Sequence, residues 1–327
     1  MKVTIYNYRE FDEKIWFDKY SKELNLELVI CCDAPTINNA ILAKGSECIN
    51  IITSKIPEEL VQRFQEYGVK YIATRTIGYD HIDIEACRKY GIRIGNALYG
   101  PEGVADYTLL LILSSIRNMK RIVERTNIQD YSLKGLQGRE LKDLTIGVIG
   151  TGRIGQTVIR NLAGFGCKIL ANDISICEEV KQKATYVTLD EIWKKADLIT
   201  IHTPLTDENF YLINKKTIDN MKDGVVIINT ARGGLIDSQA LIAGIESGKI
   251  GAAGLDVVEN EFGLYYNDKK SDILVNRELA ILRGFPNVII THHMAFYTNN
   301  AIQTMVKDSL QCCKRFMDGL SNPWEID

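Results

Sequence analysis

Apolar positions follow two rhythms along the chain. Short runs rich in Val and Ile fall at residues 3–6, 28–31, 49–53 and 71–74, then again at 145–149, 168–172, 198–202, 225–229, 252–256 and 288–291. Most are apolar throughout rather than alternating, which fits strands covered on both faces. Between them lie segments of helix length. Strand, helix, strand repeated in this way predicts an α/β, doubly wound fold with parallel sheets.

The stretch Asn96-Ala97-Leu98-Tyr99-Gly100-Pro101 reads as a turn-rich connector, and Pro101 suits the first turn of a following helix. That helix is predicted over about residues 103–125 and is apolar on much of its surface, as a core helix or a subunit interface would be. With 327 residues, two domains are expected.

Composition narrows the function classes. Hydrophobic residues make up 46% and charged residues 25%, as in an ordinary globular protein. There are 42 acids against 39 bases, for a net charge of −3, so no basic excess favours nucleic acid. No apolar run approaches the length of a membrane span, and the first residues read as a strand rather than a secretory leader. The eight cysteines form no CxxC pair, and reduced, mostly buried thiols in a cytoplasmic protein are expected. The four histidines lack zinc-site spacing, so no metal is expected.

One motif is strongly informative. A strand at 145–149 runs into Gly150-Thr151-Gly152-Arg153-Ile154-Gly155 and then a helix, the setting in which GxGxxG signals dinucleotide binding. Gly150 permits the tight turn, Gly152 lets the backbone approach a pyrophosphate, and Gly155 lets helix and strand pack closely. The free N–H groups and positive end of the helix favour the anion. The next strand ends at Asp173, 23 residues after Gly150, where a carboxylate accepts from ribose hydroxyls and repels a 2′-phosphate. Ile174-Ser175-Ile176 supply no cation to neutralise such a phosphate, so NAD is predicted over NADP.

Three later loops follow strands of the same half: 229–234, containing Arg232; 255–261, containing Glu259 and Glu261; and 291–295, containing His292 and His293. In open α/β sheets, ligands bind beyond the C-terminal strand ends. With Gly150–Gly155, His202-Thr203-Pro204-Leu205-Thr206, the run 229–237 and the run 287–293, the chain resembles the D-isomer-specific 2-hydroxyacid dehydrogenases over essentially its whole length. The resemblance implies that Arg232, Glu261 and His293 are catalytic. The family's spacing after Asp256 implies Glu261 rather than Glu259. The family's usual Thr-Pro-His places His293 at the catalytic position and His292 at that of the proline.

These residue types suit the chemistry. An arginine fork can grip the carboxylate of a 2-keto acid. A protonated histidine can give its proton to the ketone oxygen while NADH delivers hydride, and a neutral one can take it back in reverse. A glutamate can hold the other ring nitrogen. The resemblance further implies cofactor contacts at Arg153, Ile154, Thr203, Pro204, Asn209, Thr230, Ala231 and Asp256, the last to the carboxamide. It implies substrate contacts at the backbone of Ile77 and Gly78 and at Tyr99, for which packing between domains is an alternative. His202 and His81 read as structural.

The long stretch 259–286, the run Met294-Ala295-Phe296-Tyr297-Thr298 and Tyr99 resemble the D-lactate and D-2-hydroxyisocaproate branch. Reduction of pyruvate to D-lactate is the expected reaction. A bulkier keto acid such as 2-ketoisocaproate or phenylpyruvate is the alternative, and an NAD-sensing regulatory protein is an alternative of another class. The resemblance implies a Rossmann cofactor domain over residues 98–298. It also implies a flavodoxin-like substrate domain from 1–97 and 299–327, an active site in the cleft, and a homodimer through the helix at 103–125.

Overall fold

Strands whose every residue is buried need cover on both sides, and the chain supplies it by returning to a helix after nearly every strand. In the computed structural model, which describes residues 1–326, the first elements are β1 (Lys2–Ile5), α1 (Glu10–Glu23), β2 (Glu27–Ile30), β3 (Cys48–Ile51), α2 (Glu58–Glu66), β4 (Tyr71–Thr74), α3 (Ile84–Lys89) and β5 (Arg93–Gly95). Then come α4 (Glu102–Ile116), α5 (Met119–Asn127), β6 (Thr145–Ile149), α6 (Arg153–Ala163), β7 (Lys168–Asn172), α7 (Glu178–Lys181), β8 (Thr185–Tyr186), α8 (Leu189–Lys195) and β9 (Leu198–Ile201). The chain continues through α9 (Lys215–Asp219), β10 (Val225–Asn229), α10 (Ser238–Glu246), β11 (Ile250–Leu255), α11 (Arg277–Gly284), β12 (Val288–Ile290), α12 (Asn299–Met317) and β13 (Glu325–Ile326).

These elements form two units, Met1–Gly100 with Tyr297–Asp327, and Pro101–Phe296. Residue 327, the last of the expected 299–327 segment, lies outside the described residues. The doubly wound α/β expectation holds in both units. In the first, the sheet order is β13-β5-β4-β3-β1-β2, parallel except for β13, which runs antiparallel to β5. An ion pair between Arg93 and Glu325 fastens that edge. In the second, the order β12-β11-β10-β9-β6-β7-β8 reverses direction between β6 and β9. That reversal is where such sheets open a ligand crevice.

Each sheet has an apolar cluster on either face. In the second unit one cluster gathers Trp193, Ile213, Ile227 and Leu255. The other sets Leu111 and Ile112 of α4 against Val158 and Leu162 of α6. In the first unit Phe64, Ile49 and Ile72 lie in one cluster, and Phe17, Val306 and Leu310 in the other. Truncating one such fully buried aliphatic side chain to alanine costs about 2–5 kcal/mol. All eight cysteines are free thiols, and Cys31, Cys48, Cys87, Cys312 and Cys313 are buried.

The helix expected over 103–125 is two helices. Asn118 adopts a left-handed conformation, φ +54°, which asparagine tolerates better than most residues. Its Nδ2 donates to Gln137 O at 3.1 Å, and Arg139 N donates to Ile116 O at 2.9 Å. The chain 137–139 thus satisfies groups at the end of α4, and α5 sets off in a new direction.

The first unit contains a buried charge network. Arg75, directly after β4, is 0% exposed. Its Nε donates to Glu13 Oε1 at 3.0 Å, Nη1 to Asn50 Oδ1 at 2.6 Å, and Nη2 to the carbonyls of Tyr6 and Asn7 at 3.1 and 3.0 Å. A guanidinium out of water is stable only with this kind of compensation, and burial still lowers its pKa.

Candidate active site

The sequence GxGxxG is realised as a turn between β6 and α6. Gly150 has φ +94°. A Cβ there would come within 2.5 Å of the His202 carbonyl, and one on Gly155 within 2.0 Å of Gly150 O. Only glycine fits either place. A Cβ on Gly152, in contrast, would meet nothing within 4 Å. The backbone therefore faces open space where α6 begins at Arg153 and Ile154, and a pyrophosphate fits that cradle.

Asp173 follows β7. Its Oδ2 accepts from Thr151 N and, at 3.1 Å, from Thr151 Oγ1, while Oδ1 accepts from Ser175 N at 2.9 Å. Burial would raise the Asp173 pKa, but these donors and the Ile174 amide outweigh it and hold the carboxyl below its usual range. His202, after β9, lies 2.9 Å from Thr200 Oγ1. Desolvation pushes its pKa down to about 3, so it is a neutral, structural ring. Thr203 and Pro204 follow it, and Asn209 clasps this loop on itself: Nδ2 donates to Pro204 O at 2.7 Å and Oδ1 accepts from Thr206 N at 2.8 Å.

The loops after β10, β11 and β12 are joined backbone to backbone. Asp256 N donates to Asn229 O at 2.9 Å, and His293 N donates to Asp256 O at 2.8 Å. Buried Asn229 shapes the first loop, donating to Arg232 O at 2.8 Å and accepting from Ala231 N at 2.9 Å. Thr230 pairs with Thr108 of α4 at 2.9 Å. Arg232 Nη1 donates to Ala231 O at 2.8 Å. A Cβ on Gly233 would lie 2.2 Å from Val258 O, so the loop carrying Arg232 packs directly on the one carrying Glu261.

Glu261 and His293 meet. Oε1 of the glutamate is 2.6 Å from Nδ1 of the imidazole, and Oε2 accepts from Val258 N at 3.0 Å. The second ring nitrogen, Nε2, has no hydrogen-bond partner among the described residues. Glu259 is engaged elsewhere, accepting from Tyr211 Oη at 2.7 Å and from Ser238 N at 2.8 Å. His292 is exposed and touches Tyr265 edge-on.

His293 has φ +57°, a conformation that costs a non-glycine residue on the order of 1–2 kcal/mol. Its surroundings impose it. Asp256, 0% exposed, accepts from Thr291 Oγ1 at 2.6 Å, Met294 N at 2.8 Å and Ala295 N at 2.9 Å. Tyr266 Oη donates to His293 O at 2.8 Å, and the Phe296 ring meets the imidazole edge-on. Asp256 is thus an anchor for the histidine loop. The aromatic run after 293 signals Phe296 as a neighbour of His293, whereas no spacing in the sequence signals Tyr266.

In the first unit, Ile77 and Gly78 lie on the loop after Arg75. Thr76 Oγ1 donates to Gly78 O at 2.6 Å and Asn96 Nδ2 to Ile77 O at 2.8 Å. The N–H groups of Ile77 and Gly78 have no partner among the described residues. Tyr99 is half-buried near the end of this segment, where Asp308 Oδ2 of α12 accepts from Leu98 N at 3.2 Å. Buried His81 lies 3.1 Å from Thr74 Oγ1. Among the described residues no cluster of His, Cys, Asp and Glu is placed to hold a metal, and no helix is long and apolar enough to cross a membrane.

Comparison with known proteins agrees with this geometry. Residues 109–295 match the model of the D-isomer specific 2-hydroxyacid dehydrogenase NAD-binding domain. The chain is 42% identical over 319 residues to an aromatic 2-oxoacid reductase of Clostridium sporogenes, covering 97% of this chain and 96% of the relative. It is 39% identical over 323 residues to a D-specific alpha-keto acid dehydrogenase of Enterococcus faecalis, covering 98% of each. A crystal structure of a D-lactate dehydrogenase from Treponema pallidum superposes with a TM-score of 0.88 at 33% identity, covering 100% of both chains. A glycine cradle, a family match over residues 109–295 and relatives of near-equal length converge on one conclusion: the chain belongs to the D-isomer specific 2-hydroxyacid dehydrogenase family and is an NAD-dependent oxidoreductase.

Proposed function

We propose that the protein reduces a 2-keto acid to the D-2-hydroxy acid with NADH, reversibly, with Arg232, Glu261 and His293 as its catalytic residues. The observation that carries the reading is the 2.6 Å contact between Glu261 Oε1 and His293 Nδ1, which leaves Nε2 as the working nitrogen. When bound, NADH supplies the hydride. His293 gives the Nε2 proton to the ketone oxygen and recovers it in the oxidation direction. Glu261 holds the ring in one orientation. Arg232 grips the substrate carboxylate through its fork of donors. In the first unit, the N–H groups of Ile77 and Gly78 are the backbone donors we assign to that carboxylate, with Tyr99 as a substrate contact.

For the cofactor we assign the turn Gly150, Gly152, Arg153, Ile154 and Gly155 to the pyrophosphate and Asp173 to the adenosine ribose. Thr203 and Pro204 are assigned to the adenosine side, Thr230 and Ala231 to the nicotinamide side. Asp256, which also anchors the His293 loop, is assigned to the carboxamide, and Asn209, which also clasps the Pro204 loop, to the adenosine-to-ribose side.

Pyruvate is the first reading of the substrate, supported by the likeness to a D-lactate dehydrogenase. A bulkier, aromatic keto acid is the second, and the 42% identity to an aromatic 2-oxoacid reductase favours it. A pocket distinguishes side chains that differ by one methylene by only about 1–3 kcal/mol, so measured kcat/KM values decide the order of the candidates. A homodimer is supported by apolar side chains left outside on α4, α5 and the segment after them: Leu110, Met119, Val123, Ile128 and Leu133.

The test is His293→Ala. Absorbance decay of NADH on adding pyruvate, phenylpyruvate or 2-ketoisocaproate should fall by roughly a hundredfold to ten-thousandfold, as for loss of a general acid, with NADH binding by fluorescence almost unchanged. Near-parental turnover would refute the assignment and direct attention to His292.

A further inference from the structure

Asp173 terminates a chain of hydrogen bonds that starts in another loop. Cys177 N donates to Tyr186 Oη at 3.0 Å, Tyr186 Oη lies 2.8 Å from Thr151 Oγ1, and Thr151 Oγ1 lies 3.1 Å from Asp173 Oδ2. The direction of every proton is fixed. The ionised Asp173 carboxylate only accepts, so Thr151 Oγ1 spends its proton there and must accept from Tyr186 Oη, which in turn accepts from Cys177 N. Hydrogen bonds in series polarise one another, so each hydroxyl is a better donor than it would be alone.

The chain leaves the two carboxylate oxygens unequal. Oδ2 takes both the backbone and the side-chain donor of Thr151, whereas Oδ1 takes one backbone N–H, from Ser175. Oδ1 therefore keeps an open acceptor position. Tyr186 can reach this place because β8 is tied to β7: Leu170 and Ala171 pair with Thr185 and Tyr186, and Asn172 Nδ2 donates to Val187 O at 2.8 Å.

We propose that Thr151 and Tyr186 are positioning residues for cofactor choice: they lock and orient the Asp173 carboxylate so that its open oxygen accepts from an unmodified ribose diol and opposes a 2′-phosphate. A carboxylate free to rotate could turn aside or recruit a cation when a phosphate arrives. One held by Thr151 on two donors keeps its charge where the phosphate would sit. The proposal rests on the ribose role assigned to Asp173 above.

The experiment measures kcat/KM with NADH and with NADPH, at saturating keto acid, for the parent and for Asp173→Ala, Thr151→Val, Thr151→Ser and Tyr186→Phe. Tyr186→Phe is expected to lower the NADH-over-NADPH preference roughly threefold to tenfold, the effect of one hydrogen bond, through the KM for NADH and with kcat near parental. Thr151→Val should lower it at least as far, and Thr151→Ser should restore it. The Thr151 pair keeps the test intact should the Tyr186 variant fold poorly. If Asp173→Ala lowers the preference while Thr151→Val and Tyr186→Phe leave it unchanged, or weaken both cofactors equally, the proposal is overturned and the ribose role stands. If Asp173→Ala leaves the preference unchanged, the ribose role falls and the proposal falls with it.

Discussion

Replacing Asp256 with asparagine probes the most heavily constrained feature of the site. The carboxylate accepts three hydrogen bonds from the histidine loop, from Thr291 Oγ1, Met294 N and Ala295 N, and has no access to water. The asparagine amide matches its shape but turns one acceptor into an NH2 group. Whichever way it flips, at least one backbone N–H or hydroxyl then faces a donor. Hydrogen bonds to a charged acceptor are worth about 1.5–3 kcal/mol each, so the loop loses about that much for the broken bond. The lost charge weakens the other two. The left-handed His293 backbone itself costs on the order of 1–2 kcal/mol, so after the substitution little holds it in place. At 1.36 kcal/mol per factor of ten, kcat should fall roughly tenfold to a hundredfold. The KM for NADH reads the proposed carboxamide contact separately, and the melting temperature should drop. Steady-state kinetics at saturating NADH and a melting curve decide the matter. Parental kcat would refute the anchoring role; a loss confined to the KM for NADH would leave the carboxamide contact as the residue's whole role.

Four further outcomes are expected. Glu13→Ala leaves the buried Arg75 guanidinium without its anion and should cost about 3–5 kcal/mol of stability, read from the urea midpoint; a change below 1 kcal/mol on the scale of exposed pairs would show that the network is not a buried one. Burial raises the Asp308 pKa, against the Leu98 and Trp324 donors. The charged form therefore opposes folding above the unfolded-state pKa, and the penalty is relieved as pH falls through the higher folded value. Asp308→Asn should accordingly melt above the parent at pH 7, with the gap closing toward pH 4; a gap that widens in acid contradicts this sign. Gly155→Ala brings a Cβ to within 2.0 Å of Gly150 O, so α6 must shift; NADH binding should weaken at least tenfold, and unchanged titration calorimetry would show that the turn has slack. Tyr266→Phe removes the donor to His293 O and should lower kcat several-fold without altering NADH binding, so a parental kcat would discount that clamp.

What the sequence disclosed was what local spacing encodes. The strands 71–74, 145–149, 168–172 and 225–229 were read with their ends in place, because each is a run of apolar residues bounded by polar or glycine-rich turns. The glycine turn and Asp173 were legible because their spacing is dictated by a helix and a strand in series. β8 and β13 were not, being two residues long and defined by their partners rather than by any period. The break at Asn118 was hidden because its cause, Gln137 to Arg139, lies some twenty positions away. The same holds at the site. Glu261 could be matched to His293 through family motifs, whereas the bonds from Tyr186 to Thr151 and from Arg75 to Glu13 span 35 and 62 positions and leave no periodic trace. Asp256 is legible as a site residue through the family motif, whereas the burial of its carboxylate beneath the histidine loop is a tertiary fact.

Glu259 carries a consequence for how this protein can diversify. By holding Tyr211 with one oxygen and the first amide of α10 with the other, two residues before Glu261, it welds three loops into a single rigid body. An insertion or deletion before Glu261 would drag its neighbours along and misplace the base partner, so natural drift in length is barred there. The stretch 267–273, where Ile273 stands 90% exposed, makes only local hydrogen bonds. It is the stretch into which new surface can be grafted, or from which residues can be trimmed, while the chemistry keeps running.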